Sequence, residues 1–386
     1  MKHFDYIIAG GGCSGRSLAL RMLPYLKASN KQVLLVDKAS KKENDRTWCF
    51  WEKEQDVFEP AVFRKWSHLS FSSSANRQEL DIHPYQYKMI RAVDFYAYTD
   101  EQLSGSNHIV MIQGNVESIS TEHEKGYVTI DGTQFSADYV FSSIPRIQEK
   151  MPGRYQYLLQ HFEGWIIESK LPIFDPERAT LMDFNTAQQA GTSFVYVLPF
   201  SSTLALVEYT VFSENELPAA SYTTALKQYL REQLHCVDYE IKEKEKGIIP
   251  MSDHPIKSQE GRIIYLGTAG GFTKGSTGYT FRFIQKHTAA IVAQLIKTGK
   301  PYVSAVSPKR FATYDATLLH LLSSRRLSGE KIFSTLFKRN KSGQILKFLD
   351  NETSLMEEIQ IFKTLQKRKF AMALLKRTIA VYSPFH

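Results

Sequence analysis

The sequence predicts an α/β chain with three parts: an opening domain built on a βαβ unit, an inserted antiparallel sheet, and a helical C-terminal region. Three observations predict it. An apolar run, Asp5–Ala9, enters a glycine-rich turn and is followed by a second apolar run, Val33–Asp37, that ends on an acid. Alternating strand-like segments fill residues 160–250. A second strand–glycine–helix unit then appears at residues 262–298.

Gly10, Gly12 and Gly15 fit the G-x-G-x-x-G spacing. The first glycine permits a tight turn, the second lets the backbone approach a pyrophosphate, and the third lets the next helix pack closely on the sheet. A helix from about Ser14 to Lys27 aims free N–H groups and its positive dipole end at that phosphate position. Asp37 follows Gly15 by 22 residues, where an acid accepts hydrogen bonds from a ribose hydroxyl. An ordinary glycine-rich βα turn is the plain alternative. The preceding strand, the helix and the answering acid together favour a Rossmann-like FAD/NAD(P)-binding domain.

Residues 41–50 are polar, and Trp48 and Trp51 then come close together. Alternation marks His68–Phe71 and Tyr87–Arg91. A helix is expected over Ala92–Gln102, and strands over His108–Gln113, Tyr127–Ile130 and Tyr139–Ser142. The antiparallel region offers strands at Glu163–Glu168, Ala179–Phe184, Phe194–Leu198 and Leu204–Thr210, with a helix at Ser221–Leu234. Arg262–Leu266 enters the second turn, which carries Gly267, Gly270 and Gly271, and a helix is expected from Tyr279 to Thr298.

Two distant glycine units favour FAD over NAD, because a flavin cofactor is long and an inserted domain must cover its isoalloxazine end. Arg91, just before a helix, is a candidate for a charge-assisted cofactor contact, with a plain surface arginine as the alternative. The expected division assigns residues 1–70, 101–160 and 256–300 to the FAD-binding domain. Residues 71–100 cross over, 161–255 form the antiparallel substrate domain, and 301–386 form a helical, basic, membrane-facing region.

The 386 residues suffice for two or three domains with ample core. No apolar run reaches the length of about 18 residues that a membrane-spanning helix needs. The chain enters a strand almost at once, so no cleaved signal is expected. Cys13, Cys49 and Cys236 are scattered, and the eleven histidines form no cluster. A reducing cytoplasm and no metal are therefore expected. Net charge is +8, and much of the basic excess lies in the last quarter, interleaved with apolar residues such as Leu336-Phe337 and Leu374-Leu375. Such helices either lie on an anionic membrane surface or cover the protein's own core. Nucleic acid is disfavoured, since no recognised nucleic-acid motif accompanies the charge.

Several segments together resemble the lycopene cyclases of carotenoid biosynthesis, especially the bacterial β-cyclases. They are Gly10–Gly15 with Asp37, Arg46–Phe50, Phe194–Phe200, Leu206–Thr210, Gly247–Met251, Gly267–Gly271 and Ser276–Tyr279. The resemblance implies an FAD fold related to flavin hydroxylases and geranylgeranyl reductases. It also implies a redox-neutral reaction that needs reduced FAD, NAD(P)H as reductant, and lycopene and other acyclic carotenoids as substrates. It implies peripheral association with the inner face of the membrane. Thr268 stands where redox members of that group carry an Asp. Glu208 matches the first, functionally required Glu of the plant cyclases' Phe-Leu-Glu-Glu-Thr, and Tyr209 replaces the second.

Closing lycopene's end into a ring needs a proton delivered to a terminal alkene and a proton then lost. Glu208 is the candidate general acid, or the group that positions it, and burial in its apolar segment would favour the protonated form. Asp183 is a second acid candidate, with a structural hydrogen bond as its alternative. General acid catalysis supplies roughly 10²–10⁴-fold, too little alone to make a tertiary cation. An anionic reduced flavin would add stabilisation, or could itself be the acid or base. Trp48, Trp51, Trp165, Phe194 and Tyr196 are candidate cation-stabilising aromatics, each with a plain core role as the alternative. A net-redox isoprenoid flavoprotein and a non-catalytic dinucleotide-fold prenyl-binding protein remain as other readings.

Overall fold

A computed structural model describes residues 1–74, 76–145, 153–303 and 306–382. The chain opens with β1 (Lys2–Ala9), α1 (Cys13–Ser29) and β2 (Val33–Asp37). Next come β3 (Thr47–Glu52), β4 (Arg64–Trp66), β5 (His68–Ser73), β6 (Asn76–Asp81), β7 (Gln86–Arg91) and α2 (Ala92–Ser104). The strands β8 (Ile109–Gln113), β9 (Val116–Glu122), β10 (Lys125–Ile130) and β11 (Thr133–Ser142) follow. A second region holds β12 (Tyr157–Ser169), β13 (Arg178–Asp183), β14 (Thr192–Pro199), β15 (Leu204–Ser213), α3 (Ala219–Glu232) and β16 (Tyr239–Ser252). The chain returns through β17 (Gln259–Glu260), β18 (Ile263–Tyr265) and α4 (Phe281–Thr298). It ends in α5 (Arg310–Ser323), α6 (Gly329–Arg339), α7 (Ser342–Leu349), α8 (Leu355–Thr364) and α9 (Lys367–Tyr382).

The first sheet runs β17-β18-β11-β1-β2-β8, with β10 and β9 continuing from β11. Its β18, β11, β1, β2 and β8 are parallel neighbours. One face of the central strand packs on α1 and α4 and the other on β9 and β10, so it must be apolar on both sides. Tyr6, Ile7, Ile8 and Ala9 are accordingly all fully buried. Each large apolar side chain so buried contributes about 1.5–3 kcal/mol relative to exposure. Strand order reverses between β1 and β11, and ligands of such sheets sit at the carboxyl ends of the strands at that reversal.

The second sheet runs β16-β12-β15-β14-β13-β5-β6. One face packs Trp165, Val195, Val207 and Val211 against Tyr222, Leu226 and Leu230 of α3. The other packs Phe184, Phe194, Leu206 and Phe212 against Phe333, Leu336 and Phe337 of α6. The tail helices therefore cover the protein's own core on their inner side.

Several elements differ from expectation. The strand β16 was not expected: it is an edge strand in which Glu and Lys alternate over much of Glu240–Lys246. Residues 71–100 do not form one crossover. The hairpin β5–β6 joins the second sheet, β7 joins a small sheet in the order β3-β7-β4, and α2 packs on α1. The helix α4 starts two residues later than the sequence suggests, at Phe281.

Candidate active site

Two glycine turns meet at the carboxyl ends of β1 and β18. A Cβ on Gly267 would lie 2.9 Å from Ser14 Oγ in the first turn of α1. Gly10 has a left-handed φ of 104°, and a Cβ there would collide with Ser143 Oγ. A Cβ on Gly15 would meet the Gly10 carbonyl oxygen at 1.9 Å. These two glycines are thus required by the turn itself. Gly12 is different: a Cβ there would meet nothing within 4 Å. Its openness leaves the N-terminus of α1 accessible to a ligand. That terminus has no side-chain cap and no acid in its first turn, so its free N–H groups suit an anion.

Asp37 Oδ2 accepts from the Gly11 amide at 2.7 Å, so the acid also shapes the turn. Burial pushes the Cys13 thiol up to about 12, which keeps a thiolate away from this anion site. A cavity of about 440 Å³ adjoins the second turn, lined in part by Thr268, Gly270, Gly271 and Lys274. The site fits a dinucleotide. Arg91 is turned to other partners: its guanidinium pairs with Asp94 at 2.6 Å and lies 3.8 Å from the Phe63 ring centre.

Glu208 lies on β15, on the face that carries Leu206 and Phe212. Its Oε1 accepts from Thr210 Oγ1 at 2.8 Å. Opposite it on the central strand β12 is Gly164, and opposite Gly164 on β16 is Glu245. Glycine leaves the space above β12 open, so the two carboxyls face each other across it and each feels the other. Glu245 Oε2 accepts from Thr47 Oγ1 of β3 at 2.8 Å. Burial, and then the neighbouring Glu245, hold the Glu208 carboxyl well above the usual range. Burial raises Glu245 as well, while Thr47 and Glu208 pull it back. Thr210 draws Glu208 back as Thr47 draws Glu245, and the two carboxyls titrate as a pair.

Apart from Glu243, which adds to the rise of Glu245, the groups around this pair are thiols and phenols. Cys49, Tyr87, Tyr196 and Tyr279 all face it or one another, and burial raises each of them. Tyr196 is the strand partner of Glu208 on β14. Tyr279, which follows the second glycine turn, meets Trp51 edge-on at 4.9 Å. Gly278 lies against Gln160 of β12, so the loop after the second turn lies over the sheet that carries Glu208.

Other candidates lie elsewhere. Asp183 pairs in register with Val195, on the α3 face, and accepts from Tyr229 of α3 at 2.8 Å. It is on the opposite side of the sheet from Glu208, where a structural hydrogen bond is its evident work. Trp165 is on that side too, beneath the Lys244 ammonium. Trp48 packs on Phe95 and Phe281. Trp51, Phe194 and Tyr196 share the Glu208 side. Tyr209 is buried against Tyr222 on the α3 face. Adjacent strand residues point to opposite faces, so a carboxyl at position 209 would not have met Glu208. The second carboxyl comes from Glu245, which sequence reasoning missed. Among the described residues no group of three or more His, Cys, Asp or Glu could hold a metal ion.

Known proteins fit this geometry. A flavoprotein/dehydrogenase from Cytophaga hutchinsonii aligns over 98% of this chain and 99% of its own, with a TM-score of 0.65 at 10% identity. A geranylgeranyl bacteriochlorophyll reductase-like protein from Thermoplasma acidophilum aligns over 100% and 98%, with a TM-score of 0.59 at 11% identity. The expected fold kinship is thus found. In sequence, the chain is 24% identical over 391 residues to a lycopene beta-cyclase of Paracoccus sp. (strain N81106 / MBIC 01143), covering 94% of this chain and 93% of that protein. A lycopene beta-cyclase of Pantoea ananas is 25% identical over 223 residues, 55% of this chain and 53% of that protein. The family model described as "Lycopene cyclase protein" matches residues 5–377, a span that holds both glycine turns and both carboxyls, and the chain belongs to that family.

Proposed function

We propose that this chain is a lycopene β-cyclase. It converts acyclic lycopene ends to β-ionone rings without net redox change, taking lycopene to γ-carotene and β-carotene. The observation that carries the reading is Glu208: a half-buried carboxyl, raised by desolvation and by Glu245, with no basic partner among the described residues, in register with Tyr196 and on the face that the loop of the second glycine turn lies over. Such a group is an acid for an apolar substrate.

Gly10, Gly12, Gly15 and Asp37 would hold the pyrophosphate and ribose of FAD, and Gly267, Gly270 and Gly271 would complete the cradle. Arg91 is left outside this set. Bound and reduced, FAD supplies negative charge near a developing cation. NAD(P)H is the proposed reductant. Glu208 presents its proton to the terminal alkene, and Thr210 orients the carboxyl. The faces of Tyr196, Trp51 and Phe194 lie on the side where a cation would form. The buried wall excludes water, which would otherwise capture that cation as an alcohol.

A long polyene enters from lipid. Exposed apolar side chains concentrate on the last two helices: Leu355, Met356 and Ile359 on α8, and Met372 and Leu375 on α9. The exposed Lys363, Lys367, Arg368, Lys369 and Lys376 accompany them. Among the described residues no helix is long and apolar enough to cross a membrane. We assign these helices to contact with the inner, anionic membrane surface.

The test is expression in a lycopene-accumulating host, with pigments read by mass and absorption. β-Carotene at the mass of lycopene is expected. Unchanged lycopene, or a product differing in mass by hydrogen or oxygen, would overturn the reading.

A further inference from the structure

We propose that Glu245 is a positioning residue for the acid: it shares one proton with Glu208 across Gly164 and holds that proton on Glu208 until an alkene takes it. This rests on the reading of Glu208 as the proton donor.

Three observations carry it. First, β15, β12 and β16 place Glu208, Gly164 and Glu245 in one row across the sheet. A Cβ on Gly164 would lie 3.0 Å from Glu245 Cγ and 3.2 Å from its Oε1, so a larger residue would force the carboxyls apart. Second, Glu245 Oε1 is buried, and no fixed N–H or hydroxyl reaches it. It is thus left open to accept a hydrogen from Glu208, the carboxyl next to it in the row, and that contact requires one of the two carboxyls to be protonated.

Third, among the described residues no cation balances the pair. The titratable groups facing it are Cys49 of β3, Tyr196 of β14 and Glu243 of β16 itself, with Tyr87 of β7 and Tyr279 before α4 behind Cys49 and Tyr196. Lys244 and Lys246 of β16 point away, to Trp165 and Glu163 on the other face. Two carboxylates in such a place cannot both ionise, and their titrations belong to the pair.

The step balances. The Glu208 O–H bond breaks and a C–H bond forms at the terminal alkene carbon, using that alkene's electron pair. The cation left on the adjacent carbon is closed by the electron pair of the neighbouring double bond. A ring C–H bond then breaks, its electrons form the ring double bond, and its proton restores the pair. Protons and electrons sum to zero, as an isomerisation requires.

The test uses the purified holoenzyme and compares wild type, Glu208→Gln, Glu245→Gln, Glu245→Asp and Gly164→Ala. Infrared titration of the protonated carboxyl stretch is read without substrate, and cyclisation of lycopene in liposomes is read against pH. Wild type should show a protonated carboxyl at neutral pH that Glu208→Gln lacks. In Glu245→Gln the repelling charge is gone, so that band and the alkaline limb of activity should both move to lower pH by at least about one unit. Gly164→Ala should move them the same way. Glu245→Asp, which keeps the charge, should return them toward wild type.

An unshifted titration in Glu245→Gln, with its melting temperature unchanged, would overturn the proposal. The infrared shift without cyclisation by any variant, wild type included, would support the pair and sink the cyclase reading instead.

Discussion

Thr47 donates to Glu245 at 2.8 Å, and this hydrogen bond ties the small β3–β7–β4 sheet to the edge strand of the second sheet. It also lowers the proton affinity of Glu245, as the Thr210 bond lowers that of Glu208. Thr47→Val keeps the shape and removes the donor. A hydrogen bond to a charged group is worth about 1.5–3 kcal/mol, so cyclisation should fall by about tenfold or more. Thr47→Ser should restore most of it. Steady-state rates at neutral pH check both.

Glu208→Gln removes the proton and keeps the volume. Loss of a general acid costs about 10²–10⁴-fold, so the expected pigment is lycopene with at most traces of cyclic product. Flavin content per chain, read from absorbance, should match wild type. Undiminished β-carotene would remove Glu208 from the chemistry.

The same variant should be more stable at neutral pH. Folding raises the Glu208 pKa. Below the ordinary carboxyl value of about 4.3 both states are protonated and the group costs nothing. Above it the unfolded chain releases its proton first, so stability falls as pH rises toward the folded value. Glu208→Gln cannot titrate. Its melting temperature should therefore exceed that of wild type at pH 7 and converge with it near pH 4.

The glycines separate fold from binding. At Gly12 an added methyl has open space, so Gly12→Ala should melt near wild type yet lose flavin. At Gly15 the methyl strikes the Gly10 carbonyl, so Gly15→Ala should lower the melting temperature as well. Calorimetry beside flavin absorbance makes the comparison.

Leu355, Met356 and Ile359 are exposed on α8. Changing all three to Ser should leave the melting temperature within error. If the three side chains insert into lipid, each is worth about 1 kcal/mol or more, and binding to anionic vesicles should fall by at least about tenfold. Co-sedimentation is the measurement, and equal pelleting of the variant would exclude this face.

The opening βαβ unit was legible because its signal is local: glycines, helix and acid lie within one short stretch. The apolar strands β14 and β15 were legible for the same reason. Glu208 stood out through its motif, and its strand neighbours mark which face it takes. Glu245 was hidden by its setting, a Lys–Glu alternation that reads as a solvated edge, and by Gly164, which is meaningful only once three strands are aligned. For Asp183 a structural hydrogen bond stood open as the alternative, but the sequence gives no sign that the Tyr229 hydroxyl of α3 is the group that meets it. Arg91 sits before a helix as expected, but Asp94 one turn on offers a closer partner.

Phe71, Phe184 and Phe194 of the second sheet pack with Phe333 and Phe337 of α6 in one cluster. The terminal helices are therefore no detachable anchor. A chain truncated after α4, in search of a version easier to handle in water, would strip one wall from the sheet that carries the acid. Detergent or nanodisc handling of the intact polypeptide is the route that leaves the reaction chamber closed.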